Sequence, residues 1–259
     1  MRALPLAARQ RLAVLTGLAG VTAVSWAYLL HMDWSMKAAM EAGAVCALHP
    51  WSAADFALTF AMWSVMMVGM MVPTAAPMSL LFTAVARRAR AQGSPVAPTF
   101  VFVSGYVAVW TAFSLAATGA QWGLERAALL SPMLTSTSPL FGGLLLAGAG
   151  LYQWTPWKDA CLDHCRAPAL FFAAHWRDGA LGAFRMGAAH GLFCLGCCAV
   201  LMGLLFFGGV MNLLFAAGLA LFVLLEKVAP RGAAVARLGG AALLVAGGAE
   251  LASWLAARS

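Results

Sequence analysis

Repeated apolar runs, each about 20 residues long, constrain this chain more than any other feature. A bilayer offers the backbone no water, so only helices and closed barrels can cross it. Continuous runs of this length, without strand-like alternation, call for helices. Composition removes the soluble alternative: of 259 residues, 63% are hydrophobic and only 10% charged, and mean hydropathy is +0.86. A soluble protein of that composition would carry an apolar exterior. The expectation is therefore a single all-α integral membrane domain over 1–259, a polytopic transmembrane helical bundle of about seven spans. Their approximate limits are 12–30, 55–74, 97–120, 140–152, 186–207, 212–228 and 236–254, the fourth being short as written.

Charge sets the orientation. With the N-terminus in the cytoplasm, only Lys37, Arg126 and Arg258 of the 16 Lys and Arg fall outside, and all others face inward. Such asymmetry over every loop follows the positive-inside rule and accounts for the net charge of +7 without nucleic acid. The first span could be a cleaved signal peptide, but its apolar run continues through Tyr28-Leu29-Leu30, which favours a retained anchor. The expected location is a bacterial inner membrane, with the lipid bilayer as the first partner.

Chemistry concentrates in one region. Five of the six cysteines lie between Cys161 and Cys198. On a helix, residues four apart share a face, so Met186, His190, Cys194, Cys198 and Met202 form a ladder of soft donors, with Cys197 beside it. The ladder rises about 24 Å, and each step of four overshoots a turn by about 40°, so it spirals. Upstream, Pro156 and Pro168 bracket a short helix with Cys161, His164 and Cys165 at i, i+3 and i+4. Thiolate and imidazole donors in a reducing compartment suit Cu(I) or Zn(II). Topology brings this helix to the cytoplasmic mouth of the ladder, so a shared inner-side site is expected.

Methionine is concentrated on the second span. Met62, Met66, Met67, Met70, Met71 and Met78 are six of the 14 and cover about half the helix circumference. They read either as packing or as weak thioether transfer sites, with Met66 and Met70 the candidates in that span and Met202 in the fifth. Pro73 and Pro77 should break this helix and free backbone carbonyls. After the first span an outer loop is expected, with Met32, Met36, Met40, Cys46 and His49 as either a soft-metal landing site or an interfacial helix. Glu226 and Lys227 close the sixth span, where the lysine is expected to snorkel and pair with the glutamate.

Several motifs together resemble a bacterial family described as predicted metal-binding integral membrane proteins. They are Trp63 with Met66-Met67, Met70-Met71-x-Pro73 and Pro77, then Tyr152-Gln153-x-x-Pro156-x-Lys158 and Cys161-x-x-x-Cys165-Arg166-x-Pro168. Cys194-x-Gly196-Cys197-Cys198, Met211-Asn212 and Glu226-Lys227 complete the set. The resemblance covers about 55–230. It is similar to a membrane copper chaperone for tyrosinase-type oxidases, and so implies copper delivery to such an oxidase, or receipt from a donor protein. The first outer loop lies outside the matching region.

Three functions fit the residues. The first is Cu(I) handling by Cys161, His164, Cys165, His190, Cys194, Cys197 and Cys198, with methionines as weaker sites. The second is a structural Zn(II) site of two cysteines and two histidines that staples the fourth span's exit to the fifth. The third is a thiol oxidoreductase using Cys197 and Cys198, which lacks the Cys-x-x-Cys pattern of a redox fold. No nucleotide motif is present, so a nucleotide-driven pump is unsupported, and the expectation is a metal-handling protein rather than an enzyme.

Overall fold

The structure, a computed structural model, describes residues 6–41, 51–131 and 134–258. Cys46 and His49 lie outside the described residues. Among the described residues every regular element is a helix, and the only β feature is an isolated bridge between Leu130 and Ser136.

The first helix, α1 (Leu6–Glu41), runs well past Leu30, where an outer loop was expected. No proline or glycine interrupts 31–41, the Met, Ala, Lys and Glu there favour helix, and Lys37 pairs with Asp33 one turn away at 2.7 Å. Met32 and Met36 pack against the core instead of lining a loop. The second apolar stretch divides as the prolines require. Helix α2 (Ala53–Met71) starts at a Ser52–Asp55 capping box, a 3-10 turn spans Pro73–Ala75, and α3 (Ala76–Ala91) restarts with Pro77 in its first turn. The chain therefore continues helical past Thr74, where the span was expected to end.

Helix α4 (Thr99–Arg126) lies beside α8 (Gly179–Gly203), both running in the same direction. Glycine makes this seam possible: a Cβ on Gly187 would collide with the Phe102 carbonyl, and one on Gly105 with the Phe184 carbonyl. Helix α5 (Pro139–Tyr152) packs antiparallel on α11 (Gly232–Ala256). Between α5 and α8 come α6 (Pro156–Arg166), capped by Thr155, and α7 (Pro168–His175). A four-residue α9 (Leu205–Gly208) leads to α10 (Leu213–Val228), which Asn212 caps through its bond to the Phe215 amide.

Among the described residues, five stretches are long and apolar enough to cross a membrane: 6–38, 53–91, 99–126, 179–208 and 232–256. The other two expected spans, α5 and α10, have 14 and 16 residues. They reach about 21 and 24 Å against a hydrocarbon core of about 30 Å.

Candidate metal centre

Cys194, Cys197 and Cys198 lie on one face of α8 and are fully buried. Helix α8 packs there on α4, α6 and α10, and Met71 at the end of α2 reaches Cys198. The Cys194 and Cys198 sulfurs are 4.0 Å apart, and the Met71 thioether lies 3.9 Å from Cys198. A metal–thiolate bond of about 2.3 Å puts two sulfurs of one trigonal metal about 4.0 Å apart, so both spacings match edges of such a site.

Three polar side chains frame these sulfurs. The Lys227 ammonium donates to the Cys194 sulfur at 2.9 Å and to Thr74 Oγ1 at 3.0 Å. The Tyr106 hydroxyl donates to the Met71 carbonyl at 3.0 Å and lies 3.0 Å from the Cys194 sulfur. Thr74 Oγ1 donates to the same carbonyl at 2.8 Å. Met71 can accept twice because the 3-10 turn directs the Ala75 amide to Val72 instead. The proline break thus shapes the site: it turns a helix carbonyl into an anchor for Tyr106 and Thr74.

Helix α6 supplies a second pair of thiols on the opposite wall. Cys165 faces Cys197 across the α6–α8 contact. Cys161 packs over Gly196, where an added Cβ would come within 2.6 Å of its sulfur. The Tyr152 hydroxyl donates to the Gly196 carbonyl and closes the same contact. Partial burial pushes the Cys161 thiol up, so a metal arriving there must displace a proton.

The histidines are placed differently. His164 is exposed, its ring stacked on Phe193 at 4.1 Å with Nδ1 2.8 Å from the Ala160 carbonyl. Successive helical residues are 100° apart, so when Cys165 faces Cys197, His164 falls on the flank. His190 is buried between Tyr106, 5.3 Å away, and Phe102, 6.3 Å away, and among the described residues its Nδ1 has no hydrogen-bond partner. Met66, Met70 and Met202 are buried in the same core cluster as the three cysteines of α8, whereas Met186 packs in a separate cluster around Phe82 and Phe102. The ladder spirals, as its overshoot requires.

Glu226 and Lys227 do not pair with each other. The Glu226 carboxylate takes Lys158 of α6 at 2.8 Å, both side chains at 0% exposure, and Gln153 Nε2 at 2.6 Å. Adjacent helical residues point about 100° apart, so Lys227 turns to Cys194 while Glu226 faces α6. Arg166 adds bonds to the Glu226 and Pro230 carbonyls. Together these tie α6, with its two thiols, to the end of α10.

Among the described residues, no group of three or more His, Cys, Asp or Glu side chains is already gathered to hold a metal ion, and no disulfide joins the five cysteines. The sulfur set is completed by a thioether, Met71, which sequence reasoning placed on a methionine face without singling it out. Tyr106 and Lys227 were missed as site residues. The proline after Met71 and the lysine closing an otherwise apolar helix were the available signals.

A family model described as PpoB2, copper chaperone, matches residues 60–249. No curated protein and no solved structure matches the chain. The match covers most of the chain, including α4, α6, α8 and α10 entire, and the protein belongs to this copper chaperone family. Its function is accordingly copper-related.

Proposed function

We propose that the protein is a multi-pass inner-membrane carrier that receives Cu(I) on the cytoplasmic side and passes it on to a copper-dependent oxidase, without catalysing a reaction itself. It acts as a single membrane domain with a cytoplasmic N-terminus. Seven crossings, with α5 and α10 as short ones, keep the asymmetry of Lys and Arg. The observation that carries the copper reading is the buried group Cys194, Cys198 and Met71, with sulfur spacings of 4.0 and 3.9 Å. Two thiols and a thioether form a soft, low-coordinate set that suits Cu(I) better than harder cations.

Transfer needs several sites of graded strength. Cys161 and Cys165 are partly exposed and sit on α6, so they serve as the entry pair. Cys197, which faces Cys165 across the α6–α8 contact, links them to the buried group. His190 offers a nitrogen without a hydrogen-bond partner among the described residues, and Met66, Met70 and Met202 are weaker thioether sites in the same core as the cysteines. His164 lies on the flank, so a closed Zn(II) cage of two cysteines and two histidines is the less favoured reading. In cells, replacing Cys161, Cys194 and Cys198 together by serine should abolish activity of the recipient oxidase at limiting copper. Full oxidase activity in that variant would refute delivery.

A further inference from the structure

A second feature lies away from the sulfur cluster, where α1, α3 and the start of α4 enclose a cavity of about 670 Å³. Its volume is that of a small-molecule pocket. Its lining is graded. Leu6, Gln10, Arg87 and Arg90 stand at one end, with Arg87 bonded to Gln10 at 3.5 Å, and Leu18, Val21 and Val103 form the other end. From Gln10 to Val21 the α1 helix rises about 16 Å, close to half of a hydrocarbon core of about 30 Å. The groove is therefore one leaflet deep, cationic where headgroups lie and apolar where acyl chains lie. Gly17 lines it at the middle of its length, and an added Cβ there would meet nothing within 4 Å.

We infer that this groove binds one anionic phospholipid, its phosphate held by Arg87 and Arg90 and one acyl chain running along Gly17, Leu18 and Val21. Charge complementarity selects the headgroup: two guanidiniums at the mouth suit a phosphodiester bidentately, and among the described residues no carboxylate lines the groove. Depth selects a lipid over a free anion, because a soluble phosphate would use only the cationic end. The bound lipid would brace α1 against α3 and α4 without touching the copper residues.

The test uses the full-length protein purified in mild detergent and offered equal amounts of phosphatidylglycerol and phosphatidylcholine. Lipid retained after chromatography is counted by mass spectrometry. The expected result is about one phosphatidylglycerol per chain, about tenfold or more over phosphatidylcholine, the order of magnitude for two cationic contacts. Arg87→Gln with Arg90→Gln should erase the preference. Gly17→Trp, which fills the groove from an open position, should remove bound lipid of both kinds while circular dichroism stays unchanged. Arg88→Gln, on an exposed residue outside the groove, should retain phosphatidylglycerol like wild type. Equal retention of the two lipids by wild type overturns the assignment, and so does wild-type retention in either groove variant.

Discussion

Replacing Lys158 by methionine isolates the contact that holds α6 and its two thiols in place. Lys158 and Glu226 are 2.8 Å apart, and neither side chain is exposed. At an effective dielectric of 20, two unit charges at that distance attract by about 6 kcal/mol before desolvation is counted. The net cost of removing one partner is smaller, about 3–5 kcal/mol, because the other charge stays buried without compensation. Gln153, 2.6 Å from the carboxylate, still satisfies one oxygen but cannot neutralise the charge. For a chain of this size such a loss lowers the melting temperature by roughly 10 °C. Replacing both partners by apolar residues, Lys158→Met with Glu226→Leu, should recover most of the loss, since a buried pair is worth little against well-packed apolar side chains. Unfolding of the two single variants and the double variant in one detergent gives the coupling by a double-mutant cycle. The expected coupling is about 3 kcal/mol. A single variant within about 1 kcal/mol of wild type, or a double variant as unstable as the sum of the singles, would refute the buried pair as the anchor of α6.

Other positions make independent predictions. Gly187→Val drives a side chain into the Phe102 backbone and should cost about 3 kcal/mol or more, read as loss of monodisperse protein on size exclusion. Tyr106→Phe removes the bond to the Met71 carbonyl and the contact with Cys194 and should cost about 1–2 kcal/mol in unfolding. His164→Ala should change Cu(I) affinity by less than about threefold, measured by chelator competition, whereas Cys198→Ser should weaken it by about tenfold or more.

Much of this was legible in the sequence because it depends on short-range periodicity. Apolar run length pointed to the helices long and apolar enough to cross a membrane, five among the described residues, and a spacing of four placed Cys194 and Cys198 on one face. The pair Pro73 and Pro77 marked the break between α2 and α3. What escaped depends on tertiary contact. Lys227 reaches Thr74 across 153 positions, and Tyr106 meets Cys194 across 88. No local pattern distinguishes such a lysine from one that snorkels to the surface. The Glu226-Lys227 dipeptide shows the limit well: adjacency in sequence suggested a pair, while helical geometry sends the two side chains to different partners. His164 teaches the same lesson from the other side. A spacing of three put it near Cys161, but the wall that meets α8 is narrower than the face that spacing defines. The length of α1 was underestimated because an apolar run marks where lipid contact ends, and a helix can continue beyond that point.

The central claim is that Cys194, Cys198 and Met71 form one Cu(I) site. Its most direct test is Cu(I) binding by the purified protein under reducing conditions, with affinity from chelator competition and the ligand shell from X-ray absorption. The expected result is bound Cu(I) with a sulfur-dominated shell at about 2.3 Å. Affinity should fall about a hundredfold in Cys194→Ser with Cys198→Ser, and by a smaller factor in Met71→Leu, with the fold intact. Undiminished Cu(I) binding in the double serine variant, or stoichiometric Zn(II) with negligible Cu(I) in the wild type, would contradict it.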